Sequence, residues 1–366
     1  MAQRHGDASI AVGMGLAHPL LFPILSQVND PQGECKMWAF TSTIPSASDR
    51  CAAGVRVSLP TALAALLFSL PCPAAMAADG SIAGLHIAEI APGIYLREGT
   101  QEETSPANSG HIANIGFIVG RDRVAVIDTG GSLREGLALR EAIRRVTDRP
   151  IAYVVLTHVH PDHTLGAAAF EADTPEFIGH ANLPDALARR GEHDLERARA
   201  SLGDLADGTR LVVPQTLVGD RRELDLGERR LLLRAHPTAH TNTDLSIFDP
   251  ATGTLWLSDL LFVERIPSLD GSLLGWLRLM DDLDALDAER VVPGHGPIPA
   301  DRREALGAQR RYLEQVAADV REVIRRRGTI ADAVATVAPE EARRWLLFEH
   351  YHGRNVTAAF VELEWE

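Results

Sequence analysis

The six residues 158–163 contain four side chains of the kinds that bind metal ions: His158, His160, Asp162 and His163. The segment Thr157-His158-Val159-His160-Pro161-Asp162-His163 follows an apolar run, 151–156, and precedes Gly166. This pattern predicts a buried strand that ends in a loop and then a helix. Imidazole and carboxylate groups are the ligands that suit zinc and similar metals. The fold must therefore place the loop after a buried strand where its side chains can surround a metal ion.

The spacing within this segment predicts two ions rather than one. In an extended chain, residues i and i+2 point to the same side, so His158 and His160 can face one ion. The turn at Pro161 then directs Asp162 and His163 elsewhere, toward a second ion. The alternative is a set of unrelated structural histidines, but three histidines and one aspartate seldom share this spacing by chance.

The rest of the chain offers residues that fit the missing ligands. Each lies at a predicted strand terminus or in the loop after it, where α/β sheets gather their functional groups. A carboxylate between two ions would hold them about 3.5–4 Å apart. The three candidates are His240, Asp259 and His295. Asp128 ends another predicted strand, and we expect it to orient a histidine ring by a hydrogen bond.

The order of these residues resembles the metallo-β-lactamase superfamily over about 93–297. The resemblance implies a four-layer αββα sandwich. It also implies one zinc held by His158, His160 and His240, and a second held by Asp162, His163 and His295, with Asp259 bridging. Class B1 β-lactamases carry a cysteine near position 259, so the aspartate here is more similar to the hydrolase branch that includes glyoxalase II.

A narrower resemblance is carried by four short segments: 116–120 (GFIVG), 238–244 (TAHTNTD), 269–272 (LDGS) and 362–366 (ELEWE). These are similar to the quinoprotein relay system zinc metallohydrolases. That family is exported and is associated with pyrroloquinoline-quinone dehydrogenases and cytochromes c. The resemblance implies such a dehydrogenase or cytochrome as partner, but it supplies no reaction.

Composition narrows the choice of ligands and partners. The net charge is −14, and the first 77 residues hold four basic and four acidic side chains, so the excess negative charge lies on the remainder. Such a surface disfavours nucleic acid and anionic lipid as partners. All three cysteines precede residue 78, so a metal site in the body must use histidine and aspartate.

Residues 1–77 are predicted to be absent from the mature protein. Residues 1–49 show no clear period and are expected to be unstructured or to precede the true start. Residues 50–77 have the arginines, apolar run and small-x-small end of a signal peptide, with cleavage near Ala77. The alternative is a buried N-terminal helix. Export predicts a periplasmic or secreted protein whose mature form does not span the membrane.

The body is predicted to be one domain, 78–366, with a helical C-terminal extension. Amphipathic patterning predicts a long helix over 301–326 and two further helical pieces over 330–337 and 340–350. The alternation of apolar and polar residues over 360–365 predicts a terminal strand.

The predicted activity is hydrolysis of a small molecule by a metal-bound hydroxide, with two Zn²⁺ per chain and Asp162 orienting the water or carrying a proton. Iron or manganese are alternative metals, and an iron oxidoreductase of the same fold is an alternative function, although flavodiiron relatives place a glutamate where His160 stands. A non-catalytic accessory protein that binds metal is a third possible function.

Residues of secondary interest near the predicted site are His180, His236, Asp270, Ser272, Trp276, Tyr351, His352 and Asn355.

Overall fold

A computed structural model describes residues 85–366. The predicted N-terminal extension, the signal peptide and its cleavage near Ala77 lie outside these residues and stay predictions. Among the described residues, no helix combines the length and the apolar character needed to cross a bilayer.

Two sheets form the centre of the fold. The first has seven strands in sequence order, antiparallel up to its fourth strand and parallel from there. They are β1 (Ala88–Ala91), β2 (Ile94–Arg97), β3 (Ile115–Val119), β4 (Val124–Ile127), β5 (Ile151–Leu156), β6 (Glu176–His180) and β7 (Thr216–Val218).

The second sheet has five strands in the order β12-β11-β10-β9-β8. Its neighbours are antiparallel except for the parallel pair β11 and β12. The strands are β8 (Arg221–Asp225), β9 (Arg230–Ala235), β10 (Leu245–Asp249), β11 (Thr254–Phe262) and β12 (Arg290–His295).

Seven α-helices connect and cover these strands within residues 85–366. They are α1 (Leu133–Val146), α2 (Pro161–Thr164), α3 (Leu183–Leu202), α4 (Leu273–Asp284), α5 (Arg302–Arg325), α6 (Ile330–Thr336) and α7 (Phe348–Leu363). Short 3-10 helices lie at Ala167–Asp173, Gly203–Ala206 and Pro339–Arg343. The side chain of Ser132 accepts a hydrogen bond from the Glu135 amide and begins α1 at the residue that the sequence indicates.

Three apolar layers explain how these elements stack. Residues such as Ile127 and Trp256 fill the space between the two sheets. Leu139 of α1 belongs to a second cluster on the outer face of the first sheet. A third cluster, which includes Trp276 and Val316, joins the second sheet to α4, α5 and α7. Helices therefore cover both outer faces, and the predicted four-layer αββα sandwich is confirmed.

The predicted strand at 360–365 is wrong, because α7 runs from Phe348 to Leu363. Val356, Ala359, Phe360 and Leu363 recur at helical spacing and are buried in the cluster with α5. The apparent alternation at the end of the chain covers too few residues to indicate a strand, whereas the helical period extends over four turns. The piece predicted as a helix over 340–350 is instead a 3-10 helix followed by Leu347 in the left-handed region (φ 60°), after which α7 begins.

Candidate metal centre

One edge of the two sheets collects the predicted ligands. The loop after β5 and the short helix α2 carry His158, His160, Asp162 and His163. Three segments of the second half supply the remainder: the loop after β9 carries His240, β11 carries Asp259, and β12 ends at His295. Residues from both halves of the chain therefore meet at one edge of the two sheets. Asp259 lies within β11, which continues to Phe262, and not at the strand end that the sequence predicts.

Three histidine nitrogens meet at the first cluster. His160 Nδ1 lies 3.1 Å from His158 Nε2 and 2.9 Å from His240 Nε2. The Oδ2 atom of Asp259 lies 3.6 Å from His158 Nε2 and 3.3 Å from His240 Nε2. All four ligand atoms fall within 4.8 Å of one another.

The second cluster is formed by Asp162, His163 and His295, whose ligand atoms also lie within 4.8 Å of one another. Asp162 Oδ2 is 3.3 Å from His295 Nε2 and 3.8 Å from His163 Nε2. Asp259 contacts this cluster as well, because its Oδ1 lies 3.1 Å from His163 Nε2 and its Oδ2 lies 3.5 Å from His295 Nε2. The Asp259 carboxylate thus stands between the two clusters.

Each histidine uses its other ring nitrogen to donate a hydrogen bond away from the centre. The acceptors are Thr157 Oγ1 for His158 (3.0 Å), Asp270 Oδ2 for His160 (3.0 Å), Asp128 Oδ2 for His163 (2.8 Å), the Ser268 carbonyl for His240 (2.6 Å) and the Ile112 carbonyl for His295 (2.8 Å). These bonds assign a proton to the outer nitrogen of every ring. All five inner nitrogens therefore present lone pairs.

The residues fit a pair of cations. His163 Nε2 and Asp259 Oδ1 are buried and have no hydrogen-bond partner, although they lie only 3.1 Å apart. Two acceptors with no proton between them are unfavourable in a buried site unless a cation lies between them. The same is true of the three nitrogens of the first cluster. Nitrogen and carboxylate oxygen suit zinc, and they also accept iron or manganese.

The charged groups of the two clusters shift one another's pKa values. Burial opposes a charge on His163, but the carboxylates of Asp259, Asp128 and Asp162 hold its pKa well above the ordinary value. Burial also opposes a charge on Asp259, yet His295 and His163 hold its pKa well below the ordinary range. Burial lowers the pKa of His240 to about 3. The carboxylates thus favour positive charge between them, which a bound cation would supply.

Asp128 holds the predicted supporting position. Its Oδ2 accepts from His163 Nδ1 at 2.8 Å and from the Thr157 hydroxyl at 2.8 Å, and its Oδ1 accepts from the Thr157 amide at 2.8 Å. The residue has φ 57°, in the left-handed region, where aspartate is tolerated better than most residues. Strain of this kind persists only where the surroundings fix it, and here hydrogen bonds from Thr157, His163 and Ser258 do so.

An irregularity in β11 directs Asp259 into the site. Ser258 has φ 49°, and the pairing register of β11 with β12 shifts on either side of it. Gly294 of β12 lies opposite, and a Cβ atom at that position would come within 1.8 Å of Asp259 Oδ1. The glycine is therefore required by close packing against the carboxylate.

A buried ion pair supports the turn that faces Asp162. Glu135 Oε2 accepts from the Gly131 amide at 2.8 Å, and its Oε1 lies 3.2 Å from Arg97 Nη1. Burial raises the pKa of Glu135 to about 7. The position of Gly131 beside Asp162 depends on this carboxylate.

A cleft of about 180 Å³ opens over the centre. Of the seven clustered residues, His160, Asp162, Asp259 and His295 line it. The side chain of Asp162 is 16% exposed, whereas that of Asp259 is 4% exposed. Asp162 is therefore the carboxylate of the centre that a molecule in the cleft can touch most readily.

The residues of secondary interest divide into two groups. Tyr351 lines the cleft, and Asp270 reaches the centre by accepting from His160. The other six make structural contacts. Ser272 caps α4, and Trp276 donates to the Leu260 carbonyl at 3.2 Å.

The three histidines of this group are bonded within the fold: His236 contacts Ser246 at 2.7 Å, His180 Nδ1 accepts from the Asn182 amide, and His352 Nε2 lies 2.9 Å from the Val337 carbonyl. Asn355 donates to the Pro267 carbonyl and accepts from the Leu269 amide.

Sequence reasoning missed the cationic side of the cleft. Arg190 of α3 bonds to Asp270 at 2.5 Å, and Arg265 lies 3.4 Å from His295. Neither arginine stands in a motif, and single arginines on helices and loops are usually solvated. No signal in the sequence distinguishes these two from the other arginines of the chain.

Comparisons with known proteins agree with this geometry. A model of the metallo-beta-lactamase superfamily matches residues 109–295. The alpha subunit of 2,4-dinitroanisole O-demethylase from Nocardioides sp. (strain JS1661) is 26% identical, over 49% of this chain and 51% of that protein. Linear primary-alkylsulfatase from Pseudomonas sp. (strain ATCC 19151) is 22% identical, over 49% of this chain and 40% of that protein.

Among solved structures, the stereoselective inverting sec-alkylsulfatase from Pseudomonas sp. superposes with a TM-score of 0.60 at 18% identity, covering 76% of this chain and 50% of that one. At this identity the likeness concerns the fold alone. The chain spans about half the length, or less, of the curated relatives it matches.

Proposed function

The chain belongs to the metallo-β-lactamase superfamily, and on that premise we propose that it is a dinuclear zinc hydrolase that acts on a small substrate. The observation that carries the proposal is the convergence of five inward-facing histidine nitrogens and two carboxylates beneath an open cleft. His158, His160 and His240 would hold one ion, and Asp162, His163 and His295 the other, with Asp259 shared.

Two zinc ions bound by these residues would lower the pKa of water, giving a nucleophile at neutral pH, and would polarise the group to be attacked. The protein's own residues supply orientation and proton transfer. Asp162 lines the cleft and can orient the attacking water and carry its proton to the leaving group. Asp128, Asp270 and the Ser268 carbonyl accept from the outer ring nitrogens of His163, His160 and His240, which orients the inner nitrogens toward the ions.

The test combines metal analysis with a hydrolysis screen on protein purified from the periplasm. We expect two zinc ions per chain and turnover of one class among thioesters, lactams, sulfate esters and phosphodiesters; nitrocefin tests the lactam class. Sulfate esters are included because an alkylsulfatase is among the relatives. His160→Ala and Asp259→Ala are expected to lose metal and activity together. Full activity in either metal-poor variant contradicts the proposed site.

The same experiment separates the alternative functions. Iron with visible colour and no hydrolysis would favour an iron-dependent oxidoreductase. A full complement of metal without turnover on any class would favour a non-catalytic accessory protein.

We further propose that the protein is exported and serves a quinoprotein dehydrogenase or cytochrome c. Two features of the sequence support this: the arginine-preceded apolar run before Ala77, and the segments shared with the quinoprotein relay hydrolases. The mass of the mature protein tests export, because a product that begins near Met1 contradicts cleavage at Ala77. Co-purification of a PQQ dehydrogenase or a cytochrome c with the mature protein tests the association.

A further inference from the structure

Four arginines line the cleft over the metal centre. Arg190 and Arg197 come from α3, Arg265 from the loop after β11, and Arg354 from α7. In a chain whose net charge is −14, four cationic side chains around one small cleft require an explanation.

Few of these charges are balanced within the protein. Arg190 is paired with Asp194 at 2.8 Å and with Asp270 at 2.5 Å. Arg197 and Arg354 are exposed and form no ion pair with any residue of 85–366. Of the acidic residues that line the cleft, Asp162 and Asp259 belong to the metal centre and Asp194 belongs to Arg190, which leaves Glu103 alone. Arg197, Arg265 and Arg354 thus share one remaining carboxylate of the cleft lining, Glu103.

Of these arginines, Arg265 has the charge that most needs an anion, because the residue is only 3% exposed to solvent. Its Nη2 donates to the Tyr351 hydroxyl at 2.7 Å and its Nη1 to the Glu102 carbonyl at 3.3 Å, but both acceptors are neutral. The nearest carboxylate, Glu103, lies 3.7 Å away on a side chain that is 46% exposed. A buried guanidinium is costly without a well-placed anion.

The position of this group relative to the metal centre is fixed. Arg265 Nη1 lies 3.4 Å from the ring of His295, on the side away from the inner nitrogen. Tyr351 lies beside it, with the guanidinium carbons of Arg265 and Arg354 at 5.1 and 5.9 Å from its ring centre. An anion that contacts these residues would therefore lie within one small molecule's length of the reacting atoms.

We propose that the substrate carries an oxyanion (a carboxylate, sulfate or phosphate) that binds to Arg265, Tyr351 and Arg354, with Arg197 facing it from α3, while the bond to be broken lies over the His/Asp centre. This rests on the proposed hydrolytic function. Glu103 occupies the neighbourhood of Arg265 when the cleft is empty and competes with the substrate's anion.

Binding of methylphosphonate to the zinc-loaded full chain, measured by calorimetry, tests the subsite without requiring turnover. Arg354→Gln and Arg197→Gln are each expected to weaken binding about 10-fold, as the loss of a charge-assisted hydrogen bond predicts. Glu103→Gln is expected to tighten binding roughly 3-fold, because a competing carboxylate is removed. These three residues are exposed or half-exposed, so the variants do not depend on tolerance in the core.

Arg199→Gln is the matched control, since it removes the same charge from the same helix at an exposed position that does not line the cleft. Acetate and methanesulfonate, compared with methylphosphonate, distinguish a carboxylate or sulfate from a phosphate by which binds most tightly. Equal affinity in all variants shows that anions bind the metals only and overturns the proposal, as does an equal loss in Arg199→Gln or an absence of oxyanion binding to the wild type.

Activity on two matched esters separates this proposal from the proposed function. With 4-nitrophenyl acetate and its anionic succinate analogue, we expect Arg354→Gln to raise KM for the anionic ester and leave the neutral ester unchanged. If variants alter methylphosphonate binding but neither ester nor any other class is hydrolysed, the anion subsite stands and the hydrolase proposal fails. An unchanged KM for a hydrolysed anionic ester overturns the subsite.

Discussion

At the scale of single residues, the second hydrogen bond of each histidine decides which nitrogen faces the centre. His160 differs from the other four clustered histidines because its Nδ1, rather than Nε2, faces inward. The reason is Asp270, which accepts from His160 Nε2 at 3.0 Å and is itself held by Arg190. The orientation of His160 therefore depends on Asp270, 110 positions away, and on Arg190 of α3, which holds Asp270.

Removing the Asp270 carboxylate is predicted to weaken the first metal site. Asp270→Ala should lower zinc affinity about 10- to 100-fold, because the His160 ring loses the partner that fixes its tautomer. Competition with a chromophoric chelator measures the affinity. Asp282→Ala, which removes an exposed aspartate from α4, should leave affinity unchanged. Unaltered affinity in Asp270→Ala would show that the ring is held by packing alone.

A buried histidine outside the centre makes the fold sensitive to acid. His236 is 3% exposed, and burial lowers its pKa from 6.5 to about 3, with Arg234 and His180 contributing. The unfolded chain takes up a proton below about pH 6.5, whereas the folded protein does not, so stability is lost as the pH falls. At pH 5 this residue alone should contribute a loss of about 2 kcal/mol.

The prediction is tested by comparing unfolding free energies of the metal-free wild type and His236→Gln at pH 7.5 and pH 5. The variant should lose about 2 kcal/mol less than the wild type over this range. His193→Gln, an exposed histidine on α3, should follow the wild type. Parallel curves for all three proteins would contradict the burial of an uncharged His236. Chelation is needed because acid also releases metal.

At the scale of elements, the pairing of β11 with β12 positions the bridging carboxylate. The register shift at Ser258 turns Asp259 toward the centre, and β12 brings Gly294 against it. The loop after β11 is held in turn by α7, since Asn355 donates to the Pro267 carbonyl at 2.6 Å and accepts from the Leu269 amide at 2.9 Å. The same loop carries Ser268, the acceptor for His240.

Adding one methyl group at Gly294 is predicted to disrupt this pairing. The new Cβ would lie 1.8 Å from Asp259 Oδ1 and 2.6 Å from its amide nitrogen, so the backbone must move. Gly294→Ala should lose bound metal and about 1–3 kcal/mol of unfolding free energy.

Gly307→Ala provides the control, because nothing lies within 4 Å of its added Cβ on α5. It should retain metal and gain roughly 0.5–1 kcal/mol, as expected for alanine in an exposed helix interior. Metal content and denaturant unfolding measure both effects. A Gly294→Ala protein with full metal content would show that β12 can shift without moving Asp259.

At the scale of the whole molecule, the candidate metal centre joins the two halves of the fold. His158, His160, Asp162 and His163 follow a strand of the first sheet, whereas His240, Asp259 and His295 belong to the second sheet and the loop after β9. Each cluster takes ligands from both halves. Ions bound by both halves favour the folded state over the unfolded chain.

Metal removal is therefore predicted to lower the melting temperature. At a free zinc concentration 1,000 times the dissociation constant, the stabilisation is about 4 kcal/mol, which corresponds to roughly 10 °C for a domain of this size. Zinc should restore the loss, whereas magnesium should not, because it prefers oxygen ligands. Calorimetry with and without chelator gives the shift. A chelator effect of equal size in a His158→Ala, His295→Ala double variant would place the relevant metal elsewhere.

The sequence by itself determined the residues of the centre more fully than the elements around them. The spacing of 158–163 on a buried strand dictates which ligands can share an ion, because side-chain direction alternates along an extended chain. The strand β5 lies where the apolar run predicts it, Ile151–Leu156. The strand predicted at 360–365 failed because a few alternating residues cannot be distinguished from part of a helical period.

Tertiary structure alone decided what surrounds the ligands. Arg190, Arg265 and Tyr351 reach the cleft from α3, a loop and α7, and their neighbours in sequence carry no sign of it. The contact of Asp270 with His160 joins positions 110 residues apart. The apolar and polar pattern of a short segment predicts which face of its own strand or helix a side chain lies on. The partner it meets depends on how whole layers pack, and that is set by the burial of apolar faces far from the site.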